Sequence, residues 1–403
     1  MESYSEENHS FDEEFVYLLR GDTPNSLHHH GRNLQSEFES TVDPIDIQAP
    51  PFSRTESFAG CLLLLDQNHR LTEWIAYHYF ALPLRTLFIA YDPKTRDRAT
   101  ELVKRWKHVI TIVEWDDADY LPANWTRHLV PDQKQKPSLM AHRKRQLSFY
   151  QKCHERSVEM GIQRTLLLDP DEYLRINPDI IPSTIVNTSE PGHITKLYQL
   201  LEDHNNTLFK EQEGVTYKAN CSVYPRVQYT TMAPNRLYSV PRDIEYSKTG
   251  LVDSFYYNTL RYRYRNMYKM KHPKAILNAM HHVPHQIVNL HFPLDLQCNK
   301  SAFTLDKSPF LINHYIGSFG DFLHAFHSDA RNDGLNYADL NLRYEMRSRG
   351  RGHDHPFDFH FRNPLVKDES ITNWVPAFFA WQSEAVAEVL LRDTGIRVLN
   401  LNL

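Results

Sequence analysis

Hydrophobic and polar positions along this chain fall into blocks whose period changes from one end to the other. Up to about Ser57 polar, acidic and histidine-bearing residues prevail, with Pro44, Pro50 and Pro51 near the end and no traceable period. Such a stretch cannot bury enough apolar surface to order itself, so residues 1–57 are expected to form a disordered arm. From Cys61 the pattern turns apolar and regular. Cys61–Leu65 is a continuous apolar run of strand length that stops at Asp66. Leu71, Trp74, Ile75, Tyr77, His78 and Phe80 then recur as one broad face of a helix. A second run, Thr86–Tyr91, stops at Asp92. A helix is expected over Arg96–Lys107, a strand over Val109–Val113, and a further helix over Ala141–Met160. The last run, Leu166–Leu168, stops at Asp169.

Strands alternating with helices in this way predict an α/β fold with a doubly wound, mostly parallel central sheet. Such sheets bind ligands beyond the carboxyl ends of their strands. Three expected strands end there in an acid: Asp66, Asp92 and Asp169. Any one of them is a common turn former. Together they suggest a site for a sugar nucleotide, with acids for ribose hydroxyls, base and metal. No Gly-x-Gly-x-x-Gly follows the first strand and no Walker-type loop occurs, which sets dinucleotide and P-loop chemistry aside.

Asp169 also opens the densest acidic stretch, Asp169-Pro170-Asp171-Glu172. Two aspartates separated by a stiff proline can hold a hard divalent cation, Mn²⁺ or Mg²⁺, and leave positions open for phosphate oxygens. The plainer alternative is an acidic turn capping whatever follows. Beyond Asn177 the runs become short and alternating, which predicts a smaller antiparallel part. Arg261–Lys271 puts Arg261, Arg263, Arg265, Lys269 and Lys271 on one face, expected to be solvated, and tyrosines on the other. Trp374–Leu391 reads as one amphipathic helix with Trp374, Phe378, Trp381, Ala385 and Val389 on its apolar stripe. The expected division is therefore an arm (1–57), a main domain (58–335) and a C-terminal helical extension (336–403).

Charge and cysteine usage narrow the partners. A net charge of −5 over 403 residues gives no basic field for nucleic acid. No apolar run approaches a membrane span, and Glu2, Glu6 and Glu7 are unlike a signal peptide. Sequons at Asn8, Asn124, Asn187, Asn205, Asn220 and Asn299 favour a secretory lumen, the Golgi in particular, with an anchor outside this chain; the cytoplasm is the alternative. Cys61 and Cys153 lie in apolar elements and read as core thiols, while Cys221 and Cys298 are the pair that could bridge in an oxidising compartment. His353, Asp354, His355 and His360, with His281 and His282, offer a competing zinc hydrolase reading. A sugar-binding module that keeps the fold without turnover is a third.

With these residues in view, the chain resembles the family 92 glycosyltransferases. Leu71-Thr72-Glu73-Trp74-Ile75-Ala76-Tyr77-His78 is similar to the family's L-x-E-W-I-x-Y-H helix, and Phe88–Asp92 to its strand ending in Y-D-N. Gln146 and Cys153 match a Q and a C before the acidic motif, and Asp169–Tyr173 matches D-x-D-E-F. Lys274, His291 and His314-Tyr315 follow in order, with Ser318 and Arg331 after them. The likeness spans roughly Cys61 to Arg331. It departs at Asp66-Gln67, where the family has Asn-Glu, at Pro93, and in lacking a Phe-Gly motif after Tyr198.

The resemblance implies a GT-A fold and inverting transfer of a hexose, often galactose, from a nucleotide sugar such as a UDP-hexose to a glycan acceptor. On that footing Asp66, Asp92, Asp169 and Lys274 are expected at the donor, and Asp169, Asp171 and His314 at the metal. An inverting enzyme needs a carboxylate to deprotonate the acceptor hydroxyl. Glu202 and Asp203, after the apolar run Ile194–Leu200, are candidates, with Glu172 as the alternative.

Overall fold

The computed structural model describes residues 47–53, 56–95, 98–123, 137–202, 221–230, 257–266, 273–278, 287, 304–315 and 365–391. All of them lie in the unit Ile47–Leu403. In chain order the elements are β1 (Phe58–Leu64), α1 (Asn68–Ala81), β2 (Leu84–Tyr91), α2 (Thr100–Trp106), β3 (Thr111–Trp115), α3 (Asp117–Tyr120) and α4 (Pro137–Glu159). Next come β4 (Arg164–Leu166), β5 (Glu172–Ile176), α5 (His193–Glu202), β6 (Cys221–Tyr224), β7 (Arg226–Thr230) and α6 (Asn258–Arg261). The chain continues through β8 (Tyr264–Asn266), β9 (Lys274–Asn278), β10 (Phe310–Tyr315), β11 (Leu365–Lys367), α7 (Trp374–Gln382) and α8 (Glu384–Leu391).

The first sheet has the order β3-β2-β1-β4-β9-β6. Its first four strands run parallel; β9 is antiparallel to β4, and β6 pairs antiparallel to β9 at the edge. This is the doubly wound, mostly parallel α/β arrangement expected from the alternation of runs. β1 and β2 are buried almost throughout, which is why they read as continuous apolar runs rather than alternating ones. At Gly60 in β1 a Cβ would stand 2.8 Å from the Trp74 indole, so only glycine lets α1 sit this close to the sheet. A second, five-stranded sheet has the order β11-β8-β7-β10-β5 and is antiparallel except for β7 beside β10.

Helix α1 is enclosed on all sides from Arg70 to Ala81. A helix with no solvated face satisfies its polar groups mostly inside the protein, and two side chains of α1 do so on the chain of β5. Trp74 Nε1 donates to the Glu172 carbonyl at 3.0 Å and Tyr77 Oη to the Leu174 carbonyl at 2.7 Å. Glu73 accepts from the amides of Asn258 and Thr259, both at 2.7 Å, and burial pushes its carboxyl up to about 7 despite these donors. The Leu71–His78 segment is thus the brace that holds the acidic turn from behind.

Several expectations are corrected. Cys61 and Cys153 are core residues but not thiols: they form a disulfide between β1 and α4 with Cα atoms 6.1 Å apart. Cys298 lies outside the described residues, and Cys221 opens β6. The single helix expected over Trp374–Leu391 is two, broken at Ser383, whose φ is 74°. Of the cationic face expected in solvent, Arg263 and Arg265 are largely buried and paired, while Lys269 and Lys271 lie outside the described residues. Arg263 bonds Glu369 at 2.8 Å, and Arg265 meets Asp179 at 2.8 Å and Asp368 at 2.9 Å. Residues 47–53, read as the end of the arm, dock on the domain: Gln382 Nε2 donates to the Gln48 carbonyl at 2.6 Å and Arg85 to that of Pro50 at 2.9 Å.

The disulfide closes a separation of 92 residues, so its loss widens the unfolded ensemble considerably. Replacing both cysteines by alanine is expected to lower stability by about 2–4 kcal/mol. A urea midpoint equal to that of the wild type would show that the cross-link does not constrain the unfolded chain.

Candidate functional site

β1 and β2 end level with each other, Leu64 pairing with Tyr91, so Asp66 and Asp92 reach the same edge. β4 is in register with the start of β1, Leu166 opposite Gly60, and Leu167 and Leu168 carry the chain on to Asp169 at that edge. Asp66 follows its strand with φ of 52°, a left-handed conformation that aspartate tolerates better than most residues. The three acids expected at the ligand-binding edge therefore stand there.

After Asp169 the chain turns tightly, the Glu172 amide bonding the Asp169 carbonyl at 3.0 Å, and enters the second sheet as β5. β10 lies beside β5 with His314 paired to Glu172, and the Tyr315 amide donates to the Asp171 carbonyl at 2.8 Å. This register brings His314 to the acidic turn: its Nε2 is 3.5 Å from Asp171 Oδ2. Arg70, from the first turn of α1, reaches the same oxygen at 3.2 Å and donates to the Tyr315 carbonyl at 2.9 Å. Burial works against the charge on Asp171, but His314 and Arg70 outweigh it and hold its pKa below the usual carboxylate value.

The remaining carboxylates are tied inward. Lys274 Nζ lies 2.7 Å from Asp169 Oδ2 and 2.9 Å from Glu172 Oε2, and Arg226 Nη1 donates to Glu172 Oε1 at 2.7 Å. Glu172 is fully buried; burial opposes its ionisation, yet Lys274 and Arg226 bring its pKa down to about 2. It also accepts from the Asp169 amide at 2.9 Å. Glu172 is therefore an organiser of the turn and not a base for an acceptor. Asp169 stays partly open, its side chain 36% exposed, with Tyr150 Oη and Gln146 Nε2 each 3.3 Å from Oδ1.

Glu202, the other base candidate among the described residues, stands elsewhere. Glu202 pairs with Arg164 at the first residue of β4, the opposite end of that strand from Asp169. Asp203, His291, Ser318 and Arg331 lie outside the described residues, as do His281, His282, His353, Asp354, His355 and His360 of the zinc reading.

Three residues of the site carry no periodic signal in the sequence: Arg70, Arg226 and Arg145. Arg145 on α4 donates to Asp92 at 2.9 Å and to Asp117 at 2.7 Å. The signal available for Arg70 is a charge in the first turn of a helix whose following residues carry a broad apolar face, a setting in which a charge demands a partner.

A divalent ion fits the donor set in kind, a carboxylate oxygen of Asp171 facing an imidazole nitrogen of His314. Among the described residues no group of three or more His, Cys, Asp or Glu gathers into a complete cage.

No protein-family model matches the chain, and no curated protein matches it. Among solved structures it is similar to a crystal structure of residues 1–349 of TarS from S. aureus, at 12% identity over 82% of each chain, with a TM-score of 0.27. A likeness of that degree leaves the reading of the site to its own geometry.

Proposed function

We propose that this chain is a glycosyltransferase that moves a hexose from a nucleotide sugar, a UDP-hexose, to a glycan acceptor with inversion. The observation that carries the reading is the turn Asp169-Pro170-Asp171 at the carboxyl edge of the parallel sheet, faced by His314 and backed by buried cations. The ordered motifs that resemble family 92 glycosyltransferases support the choice of a sugar nucleotide, with galactose among the hexoses.

Charge balance supports a metal. Three carboxylates, Asp169, Asp171 and Glu172, are matched by three cations, Arg70, Lys274 and Arg226. A diphosphate arriving at this turn brings further negative charge. Mn²⁺ or Mg²⁺, held by Asp171 and His314, would offset that charge and stabilise the departing nucleotide. Asp169 is turned towards Lys274 and serves the donor side of the turn. Arg70 fixes the orientation of Asp171, and Lys274 and Arg226 keep Glu172 ionised and the turn closed.

A secretory lumen is the compartment that suits the chain best. The Cys61–Cys153 disulfide is a bond that persists in oxidising surroundings, and the Asn187 sequon is exposed on a turn. Among the described residues no helix is long and apolar enough to cross a membrane.

Nucleotide release, measured over a set of sugar nucleotides with a panel of glycan acceptors, tests the proposal. Release is expected from a UDP-hexose in Mn²⁺ and is expected to be lost on chelation. Glycan binding without release from any sugar nucleotide would favour the non-catalytic module instead.

A further inference from the structure

Asp92 is not free to serve the donor in the way its place at the strand end suggests. Its Oδ1 accepts the Lys94 amide at 2.9 Å and its Oδ2 accepts Arg145 Nη1 at 2.9 Å. The carboxylate is only 8% exposed. Burial opposes its charge, but His142, the Lys94 amide and Arg145 together hold its pKa below the ordinary value. Arg145 is itself fixed at its other end by Asp117. Both oxygens of Asp92 are thus engaged by the protein, and the more open member of the cluster is His142. Its Nδ1 lies 3.8 Å from Asp92 Oδ2, and its side chain is 32% exposed.

His142 and Gln146 are four residues apart on α4 and share a face of that helix. Gln146 donates to Asp169. One helix face therefore runs from the end of β2 to the end of β4, across the end of β1 between them. Two strand spacings make this about 10 Å. That is the order of the separation between the base of a nucleoside diphosphate and its phosphates. With the acidic turn and its cations at the β4 end, a nucleoside belongs at the β2 end.

Resting on the nucleotide-sugar reading above, we infer that His142 is the side chain that meets the nucleoside of the donor, and that Asp92 and Arg145 are positioning residues that hold its ring from behind. An imidazole whose Nδ1 faces Asp92 leaves its Nε2 edge for a ribose hydroxyl or base carbonyl and its flat face for a base. Both are features of a nucleoside diphosphate that inorganic pyrophosphate lacks.

Calorimetric titration with UDP, GDP, ADP, CDP and pyrophosphate, each in Mn²⁺, separates the two ends of the site. The wild type is expected to bind at least one nucleoside diphosphate more tightly than pyrophosphate. His142→Ala is expected to weaken that nucleotide about tenfold while pyrophosphate stays within about twofold. His142→Gln, which keeps a polar edge, is expected to recover part of the loss. Asp92→Asn is expected to move nucleotide affinity the same way by less. If His142→Ala binds the nucleotide as the wild type does, or weakens pyrophosphate equally, the inference is overturned. A wild type that binds none of the nucleoside diphosphates would overturn the donor reading itself, and this inference with it.

Discussion

On the proposed glycosyltransferase function, Asp171→Asn is expected to slow transfer by about a hundredfold to a thousandfold while the chain stays folded. Asparagine keeps the shape of the side chain and removes its charge, so the turn and the Tyr315-to-Asp171 backbone bond have no reason to open. What changes is the oxygen on which Arg70 and His314 converge. Arg70 keeps the Tyr315 carbonyl but loses its anionic partner, a loss of about 1–3 kcal/mol of stability for a charge-assisted bond. The Mn²⁺ concentration for half-maximal activity distinguishes a ligand from a mere orienter of Arg70. If Asp171 holds the ion, that concentration rises about tenfold or more in the variant. Asp169→Asn should reduce activity with a smaller change in Mn²⁺ requirement, because its oxygens are directed to Lys274, Tyr150 and Gln146. An Asp171→Asn enzyme that keeps most of its rate at saturating donor and metal would remove the acidic turn from the chemistry.

The parallel half of the fold was legible because buried strands leave a continuous apolar run and each run is closed by an acid past the carboxyl end of the strand. β1, β2 and the run that ends in Asp169 all show this. The pairing of Cys61 with Cys153 was not legible: burial follows from the apolar context, but a bond needs a Cα separation that only the packing of α4 on β1 provides. Glu202 illustrates the opposite error. It follows an apolar stretch not far along the chain from the acidic turn, yet α5 carries it to the far end of the sheet and into an ion pair with Arg164. Arg70 is separated from Tyr315 by 245 positions, and no local pattern reports such a contact. His314 was legible as an apolar run ending in a polar pair, and the β5–β10 register explains why that pair meets the turn.

A further buried cation, Arg175, ties β5 to its neighbours, and Asp368→Ala is expected to expose its contribution by lowering stability about 3–5 kcal/mol. Arg175, on β5 three residues after Glu172, is buried with donors directed to five partners. Nε donates to Asn313 Oδ1 at 2.7 Å, Nη1 to Ser370 Oγ at 2.6 Å and to the Ile176 carbonyl at 3.4 Å. Nη2 donates to Tyr229 Oη at 3.0 Å and to Asp368 Oδ2 at 2.6 Å. Asp368 is the only carboxylate among these five, and it also faces Arg265 at 2.9 Å. Removing it leaves the Arg175 guanidinium buried among neutral groups, the situation in which a broken pair destabilises most. Burial opposes ionisation of Asp368, but Arg175, Ser370 and Tyr229 bring its pKa down to about 2, against an ordinary value of 3.8. A depressed carboxyl contributes stability that is present above the ordinary value and is lost as pH falls through the folded one. The wild type should therefore lose on the order of 2 kcal/mol from this group between about pH 4 and pH 2. Urea denaturation across that interval is the measurement. The Asp368→Ala protein should start lower at neutral pH and fall less steeply on acidification. Equal acid slopes in the two proteins would mean that Asp368 is not the titrating partner of Arg175. An unchanged neutral midpoint would mean that the pair does not hold β5 against β10.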